Sequence, residues 1–332
     1  MKMKIQRHGL LAAIPAACAA LMMAAAPALA ADIVLKASHN ANPDEPYHTG
    51  MQAMSKLLKE KTNGKAEIKV FSNAQLGDET ESIQGTKLGT VDIAVTANEV
   101  LVDSVPGMSV FSLPYLFKDA EQMERAAQSQ AVLDDVNRIL AQKGYQLLGL
   151  FFAGTRNLMT KEPIQSIDDM KGRKLRTLTN KIHIDAFKAF GANPTPMPYT
   201  ELYGALETGV VDGAEAANTN YLSRKFYEVA PNWAMIGWTE MMAPVIMGKA
   251  RFEALPKDVQ TALLEAGKEA AIAERKAYME SDKKAYAALE KLPVKITHPD
   301  KEPFRQAVKK TYDKFLQTDD QKHLFELIRS VN

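Results

Sequence analysis

Two arginines occupy positions where a guanidinium group could bind a carboxylate. Arg176 comes near the end of the predicted strand RKLRT, and Arg156 follows a long apolar strand in the segment FFAGTRN. A guanidinium can donate two parallel hydrogen bonds to a carboxylate, so an arginine at a strand end is suited to binding an acid. Alternation along RKLRT places Lys174 and Arg176 on one face of the strand. Periodicity alone does not distinguish a binding arginine from a solvated cation at a strand edge.

Other residue types give little support to catalysis or metal binding. The histidines after the N-terminal segment are scattered without H-x3-H or HExxH spacing, and neither a G-x-S-x-G elbow nor a phosphate-binding glycine loop occurs. The carboxylates of GDETES and DKKAY are predicted on exposed helix faces. We therefore expect no catalytic residue, no metal and no cofactor. His39 and Asn40 remain candidate binding residues, because they end the first predicted strand at the edge that would face a cleft.

Alternating strands and helices are predicted to position these side chains. IVLKAS, AEIKVFS and VDIAVTA have strand patterns, and the two segments between them have helical ones. This βαβαβ order predicts right-handed crossovers, a mostly parallel sheet and an α/β fold. A polar helix is expected over about 119–142, followed by the almost entirely apolar strand YQLLGLFF. The second half repeats the plan with strands at RKLRT, PTPMP and VVDGAE.

A long run of strong helix formers extends from Lys257 to Leu292. Its apolar residues do not keep a heptad register, so a coiled coil is not expected. One long helix lying across two α/β lobes fits the pattern better. Pro293 ends the run, VKIT adds a strand, and two short helices are expected to complete the chain.

The first thirty residues have the features of a cleavable secretory signal. A head with Lys2, Lys4 and Arg7 precedes an apolar run that ends in Ala28-Leu29-Ala30. Cleavage would remove these three cations, leaving 38 basic and 40 acidic side chains, and would also remove the only cysteine, Cys18. The near-neutral balance argues against nucleic-acid binding, which requires a basic surface. We predict from this signal an exported periplasmic protein. A mature chain without cysteine is compatible with export, because a domain of this length needs no disulfide.

Several motifs occur in a fixed order that resembles one family. QLGDE, SLPYLF, AGTRN, DMKGRKLRT, GANPTPMPYTELYGALETGVVDGAE and VKITHP closely resemble the periplasmic substrate-binding proteins of tripartite ATP-independent periplasmic (TRAP) transporters, the DctP-like family. The resemblance runs from about Ile33 to the C-terminus. It implies a two-lobed binding protein of type II-like fold that closes on an organic acid and delivers it to small and large membrane subunits.

The resemblance also implies roles for individual residues. The arginine that grips the ligand carboxylate in this family falls on Arg176, the assisting arginine of the G-T-R segment falls on Arg156, and a ligand-contacting aromatic position falls on Tyr199. Many members have V-D-G-x-E-N-P where this chain has VDGAEAA. Glu215 keeps the acidic position, but the usual ligand-binding asparagine is Ala216. The resemblance does not decide whether Asn218 or Asn220 replaces it.

Two further departures bear on the ligand. The pocket carboxylate of sialic-acid binders falls on Ala97, with Asn98 beside it, which disfavours a sialic acid. Glu240 stands where several relatives have histidine, and it could accept hydrogen bonds from ligand hydroxyls or simply be exposed to solvent. These polar candidates favour a sugar acid, either a uronate or an aldonate. A C4-dicarboxylate or a keto acid is the alternative, since two arginines would suit two carboxylates.

The lobes are expected to be formed by discontinuous segments. Residues 31–153 with about 242–281 are predicted to form the first lobe, and 154–241 with about 282–332 the second. We expect a monomer. A periplasmic enzyme acting on a small organic acid, and a sensor that presents its closed form to a receptor, remain alternative functions.

Overall fold

The computed structural model describes residues 32–331, so the predicted signal peptide lies outside the described residues. Within that range the chain alternates strands and helices, as an α/β fold requires. The strands are β1 (Ile33–Ser38), β2 (Ala66–Phe71), β3 (Ile93–Val95), β4 (Tyr145–Thr160), β5 (Lys174–Thr177), β6 (Asn193–Pro196), β7 (Gly213–Ala216), β8 (Asn232–Gly248) and β9 (Lys295–Thr297).

The helices of the first half include the predicted ones, with one break. They are α1 (Pro46–Lys61), α2 (Glu79–Leu88), α3 (Asn98–Leu101), α4 (Ala120–Gln128) and α5 (Gln130–Gln142). The helix predicted over 119–142 is therefore two helices, and they are separated at Ser129, whose backbone is extended (φ −63°, ψ 118°). The second half contains α6 (Lys181–Ala189), α7 (Leu202–Glu207), α8 (Asn218–Ser223), α9 (Lys249–Glu253), α10 (Lys257–Leu289), α11 (Glu302–Phe315) and α12 (Asp319–Ser330).

The strands form one sheet in the order β2-β1-β3-β8-β4-β7-β5-β6, with β9 paired to β8. The pairs toward both ends are parallel, as predicted, but β3/β8, β8/β4 and β4/β7 are antiparallel. The long strand β8 was not predicted, because it shows no alternation and Gly237 and Pro244, residues typical of breaks, interrupt its apolar run. β4 and β8 run side by side through the middle of the sheet and connect its two halves.

The predicted long helix is α10, which packs against α1, α8 and β4. Two apolar clusters are built mainly from the elements up to β4 with the second half of β8, α9 and part of α10, and two from the elements around β5–β7 with the first half of β8. Ala217, Leu324 and Ile328, which fall in the predicted second lobe, pack with the first pair of clusters. The lobe boundaries themselves stay a prediction. Within residues 32–331, no helix is both long and apolar enough to cross a membrane.

A bulge in β4 shapes the centre of the sheet. Its pairing with β8 shifts register between Phe152 and Thr155, where Gly154 has φ +92°. A Cβ atom at this glycine would lie 2.4 Å from the Cβ of Ala217 and 2.7 Å from the Tyr278 hydroxyl. Both the left-handed backbone and the close approach therefore require glycine here.

We expect Gly154→Ala to lower the free energy of unfolding by roughly 1–3 kcal/mol through overpacking, in addition to backbone strain. Gly64→Ala is the matched control, since Gly64 has φ +82° but an added Cβ atom there would meet no neighbouring atom within 4 Å. Urea denaturation of both variants separates the two effects. Equal losses would show that crowding at Gly154 does not matter.

Candidate functional site

Arg176 is the one buried cation of the segment Lys171–Arg176. Lys171 and Lys174 are exposed and Arg173 is half-buried, whereas Arg176 is 1% exposed. Its Nε donates to the carbonyl of Met197 at 3.1 Å, and Nη1 donates to Oε1 of Glu215 at 3.4 Å. Nη2 has no hydrogen-bond partner among the described residues. A buried guanidinium is thus held rigidly on β5 with one donor group uncommitted.

Arg156 lies on the neighbouring strand β4 and is committed to protein partners. Its Nε donates to Oε2 of Glu215 at 2.5 Å, and its Nη2 donates to the carbonyl of the same residue at 3.4 Å. Nη1 donates to the carbonyl of Ala153 at 3.0 Å and to Oδ1 of Asn220 at 3.2 Å. All three nitrogens are occupied, so this arginine is suited to orienting its neighbours.

Glu215 lies between the two arginines on β7 and is fully buried. Burial alone would raise the pKa of this carboxyl, but Arg156 and Arg176 outweigh it and hold the pKa below its ordinary value. The two guanidinium groups and this carboxylate carry a net charge of +1. Glu79 also borders the cavity beside these residues, but burial raises the pKa of its carboxyl to about 7, so it does not fully compensate that charge. An uncompensated buried charge is costly, so the cluster favours binding of one anion.

A cavity borders this cluster. Polar groups from both halves of the sheet line it, together with Ala97, Leu178 and Met241; the polar residues include Asn40, Glu45, Glu79, Arg156, Arg176, Tyr199, Glu215, Asn220 and Tyr278. Tyr199 lies between two cations: its ring centroid is 5.8 Å from the guanidinium carbon of Arg176 and 5.5 Å from that of Arg224. Its hydroxyl is buried and finds no partner within residues 32–331. The cavity therefore offers one uncommitted guanidinium nitrogen, the unpartnered Tyr199 hydroxyl beside two further tyrosines (Tyr47 and Tyr278), and several amide and carboxyl oxygens.

The family profile described as bacterial extracellular solute-binding protein, family 7 (DctP) matches residues 37–319. The chain belongs to this family. The predicted resemblance to TRAP-transporter solute-binding proteins is confirmed.

One curated relative and two solved structures illustrate the similarity. The 2,3-diketo-L-gulonate-binding periplasmic protein YiaO of Escherichia coli (strain K12) is 30% identical over 276 residues, which cover 82% of this chain and 84% of YiaO. The crystal structure of a TRAP solute-binding protein from Xanthobacter autotrophicus Py2 with bound β-D-galacturonate has a TM-score of 0.86 and 30% identity, covering 90% of this chain and 100% of that one. One from Sulfurospirillum deleyianum with bound succinate has a TM-score of 0.84 and 30% identity, covering 91% and 100%.

Five of the nine residues predicted from the sequence line the cavity of this DctP-family protein, namely Asn40, Arg156, Arg176, Tyr199 and Glu215. Asn220, the alternative to Asn218, also lines it. Asn218 instead donates to Oδ2 of Asp282 at 2.8 Å and accepts from the Trp233 indole at 2.8 Å. These hydrogen bonds connect α8 to α10 and β8, so the side chain of Asn218 stabilises the fold. Asp282, predicted on an exposed face, is its partly buried partner.

The other three predicted residues are buried outside the cavity lining. His39 lies against His48, with Nε2 and Nδ1 3.2 Å apart, and burial followed by repulsion from His48 lowers its pKa to about 4. The side-chain nitrogen of Asn98 donates to the carbonyl of Met108 and to the Ser112 hydroxyl, both at 3.1 Å. Glu240 accepts from the Thr155 hydroxyl at 2.7 Å. Their polar groups contact neighbouring protein residues and do not line the cavity.

Sequence reasoning missed Glu45, Glu79 and Tyr278. Glu79 was predicted on an exposed helix face, but it is 9% exposed and accepts from the backbone N–H of Ala97 at 2.6 Å. Burial raises its pKa to about 7. The capping box formed by Asp78 and Glu81 makes Glu79 the first residue of α2, and this helix start lies at the cavity lining. That signal could have identified Glu79.

Glu240 provides a stability test that is independent of the ligand. Burial raises the pKa of its carboxyl to about 7, well above the value of an unfolded chain, so the folded state binds more protons. This contribution to stability is present at low pH and is lost as the pH rises from about 4.5 to 7. The expected loss is at most roughly 3 kcal/mol. We expect the unfolding free energy of the wild type, relative to that of Glu240→Gln, to decrease from pH 5 to pH 8. A difference between the two proteins that does not change with pH would contradict this.

Proposed function

We propose that this chain binds a sugar acid, a uronate or an aldonate, in the periplasm and delivers it to the membrane subunits of a TRAP transporter. The observation that carries the proposal is the uncommitted Nη2 group of Arg176, buried beside a polar cavity in a cluster with one excess positive charge. A ligand carboxylate would accept from this group and neutralise the cluster. Charge-assisted hydrogen bonds of this kind are the strong ones.

The commitment of Arg156 favours one ligand carboxylate over two. Its three nitrogens already donate to Glu215, Ala153 and Asn220. A second carboxylate would have to displace these bonds, and it would bring the buried cluster to a net negative charge. A C4-dicarboxylate is therefore the less favoured ligand. Because the Sulfurospirillum relative binds succinate in its crystal structure, succinate is included in the ligand panel below.

The remainder of the cavity suits hydroxyl groups. Asn40, Glu79 and Asn220 offer amide and carboxyl oxygens, and the Tyr199 hydroxyl can both donate and accept. A site built to bind hydroxyls discriminates against molecules that lack them, because its buried polar groups would then be unpaired. The galacturonate complex of the Xanthobacter relative and the diketogulonate specificity named for YiaO support this ligand class.

Ligand binding and closure are coupled through burial. The carboxylate and hydroxyls of the ligand can contact residues of both halves of the sheet only when the two halves are close together. The acid therefore has a higher affinity for the closed form and shifts the equilibrium toward it. A neutral sugar leaves the excess charge of the arginine cluster unbalanced and should not stabilise this form. The closed form is the one presented to the membrane subunits.

A thermal-shift and calorimetry panel tests the ligand class on the chain without residues 1–30. D-galacturonate, D-glucuronate and D-gluconate are compared with succinate, pyruvate and the neutral D-galactose. A ligand at about 100 times its dissociation constant contributes about 2.7 kcal/mol of stability. We expect stabilisation by at least one sugar acid and none by galactose. Tighter binding of succinate would transfer the assignment to dicarboxylates, and binding of galactose would overturn the role of Arg176.

The enzyme alternative is tested on the same complex. After denaturing release, mass spectrometry is expected to recover the acid unchanged, whereas a converted product would show catalysis. Export is tested by fractionating cells that express the full chain, with a mature mass consistent with cleavage after Ala30. We further propose a monomer, which light scattering of the purified chain would check.

A further inference from the structure

Beside the cavity, polar side chains connect the loop after β1 to α8, and carboxylate binding by Arg176 does not explain these contacts. Glu45, at the end of the loop after β1, accepts from Nδ2 of Asn220 at 2.7 Å and from the Ser223 hydroxyl at 2.9 Å. Arg224 follows α8; its Nε lies 3.3 Å from Oε1 of Glu45, and its Nη2 donates to the carbonyl of Asn40 at 2.6 Å. Two loops distant in sequence are thus joined at one carboxylate.

The sheet order shows which contacts can separate. The Arg156–Glu215–Arg176 cluster lies on β4, β7 and β5, which are adjacent strands joined by backbone hydrogen bonds. That cluster persists in any arrangement of the two halves. β1 and β7 are instead separated by β3, β8 and β4, so side chains alone connect the loop after β1 to the segment after β7. Opening of the cavity must break these contacts.

Burial makes the desolvation cost of Glu45 and Arg224 comparable to the attraction between them. Glu45 is 4% exposed, and the Arg224 side chain is 26% exposed. Desolvating a carboxylate and a guanidinium offsets much of their attraction, so such a pair contributes little net free energy while it remains intact. Removing one partner leaves the other charge buried and unpaired, which penalises the closed form only. The pair therefore permits closure without locking it.

The same contacts reach the ligand cluster. Asn220 donates to Glu45 and accepts from Arg156 through Oδ1, and Arg224 lies over the ring of Tyr199, whose other neighbour is Arg176. Glu45 borders the cavity, whereas Arg224 is absent from its lining. Arg224 can thus affect a bound molecule only through closure and through residues that touch it.

We infer that Glu45 and Arg224, with Asn220 and Ser223, form a latch across the cavity mouth that sets the closed population and the release rate of the ligand. The closing role rests on the proposed function. Arg224 is a positioning residue and not a ligand contact. Weakening the latch should accelerate dissociation and leave association nearly unchanged, because recognition by Arg176 is preformed.

The first test needs no ligand. The only cysteine, Cys18, lies before the purified chain begins, so spin labels can be placed specifically at Lys56→Cys and Glu207→Cys, both exposed and on α1 and α7. Double electron–electron resonance then measures the closed fraction of the ligand-free protein. We expect Arg224→Gln to lower this fraction about tenfold and Arg224→Lys to restore part of it. A wild type without a closed fraction, or a fraction unchanged in Arg224→Gln, overturns the latch.

A matched control excludes a general effect of losing an arginine. Arg251 forms a comparable ion pair with Asp92 at 2.7 Å, away from the cavity, and has a side-chain exposure of 38%. Arg251→Gln should leave the closed fraction unchanged; a decrease equal to that of Arg224→Gln would contradict the proposal.

The second test uses D-galacturonate in stopped-flow measurements. We expect about tenfold faster dissociation for Arg224→Gln, less than threefold change in association, and no further acceleration when Glu45→Gln is added. Additive effects of the two substitutions would overturn the pairing. If galacturonate does not bind the wild type, the measurement is made with the panel sugar acid that does. If no sugar acid binds, the proposed ligand class fails, while the resonance measurement still decides the latch.

Discussion

Arg176→Lys is expected to weaken binding of the cognate acid at least 100-fold, or by roughly 3 kcal/mol. A lysine keeps the positive charge, but its point-like ammonium cannot reproduce the planar fork. Arg176 donates from Nε to Met197, from Nη1 to Glu215, and has Nη2 available to the ligand. One ammonium group cannot serve these three directions at once. Isothermal calorimetry with the acid found in the ligand panel measures the loss.

The control for this substitution lies three residues earlier in the chain. Arg173 is half-buried and donates to the carbonyl of Asp169 at 2.6 Å, outside the cavity lining. Arg173→Lys should change the affinity less than twofold. Circular dichroism of both variants verifies that the fold is retained. An Arg176→Lys protein that binds within threefold of wild type would show that this guanidinium is not the anchor.

Glu215→Gln is expected to lower the free energy of unfolding by about 3–5 kcal/mol. The substitution is nearly isosteric, but it leaves Arg156 and Arg176 buried together without an anion. Glu215 is fully buried and bonds to both, at 2.5 Å and 3.4 Å, so solvent cannot replace the missing charge. For a chain of this size the loss corresponds to a decrease in melting temperature of roughly 10 °C.

An exposed ion pair is the control for Glu215→Gln. Glu265 lies 3.0 Å from Lys61 with 55% of its side chain exposed, and such pairs contribute little. Glu265→Gln should therefore change the melting temperature by no more than about 2 °C. If the two variants unfold at the same temperature, the charges around Glu215 are compensated in some other way. The scans are made without ligand, since a bound acid would itself stabilise the protein.

Local pattern was sufficient for much of the fold, because most elements carry their own signals. The βαβαβ start, the long helix α10 and the two final helices follow from hydrophobic periodicity and from breakers such as Pro293. β8 was missed because it shows no alternation and its apolar run is interrupted by Gly237 and Pro244, which are typical of breaks. The helix predicted over 119–142 is interrupted at Ser129, where no glycine or proline marks the break.

The arginine motifs led to two residues that line the cavity, but the sequence did not indicate which nearby polar residues share it. Asn218 and Asn220 lie two positions apart at the start of α8, and side chains at that spacing on a helix point in different directions. Asn220 turns toward Arg156, and Asn218 turns toward Asp282 and Trp233. Position along the chain could not decide between them.

Residue types at fixed spacings within short segments were enough to predict the family, the α/β class and the importance of Arg176. In contrast, the hydrogen bonds that occupy Arg156, the burial of Glu79 and the contact of Glu45 with Arg224 become visible only in the folded chain. These properties depend on contacts between segments as far apart as β1 and α8. Burial and charge compensation are sums over all such neighbours, and no local pattern in the chain encodes them.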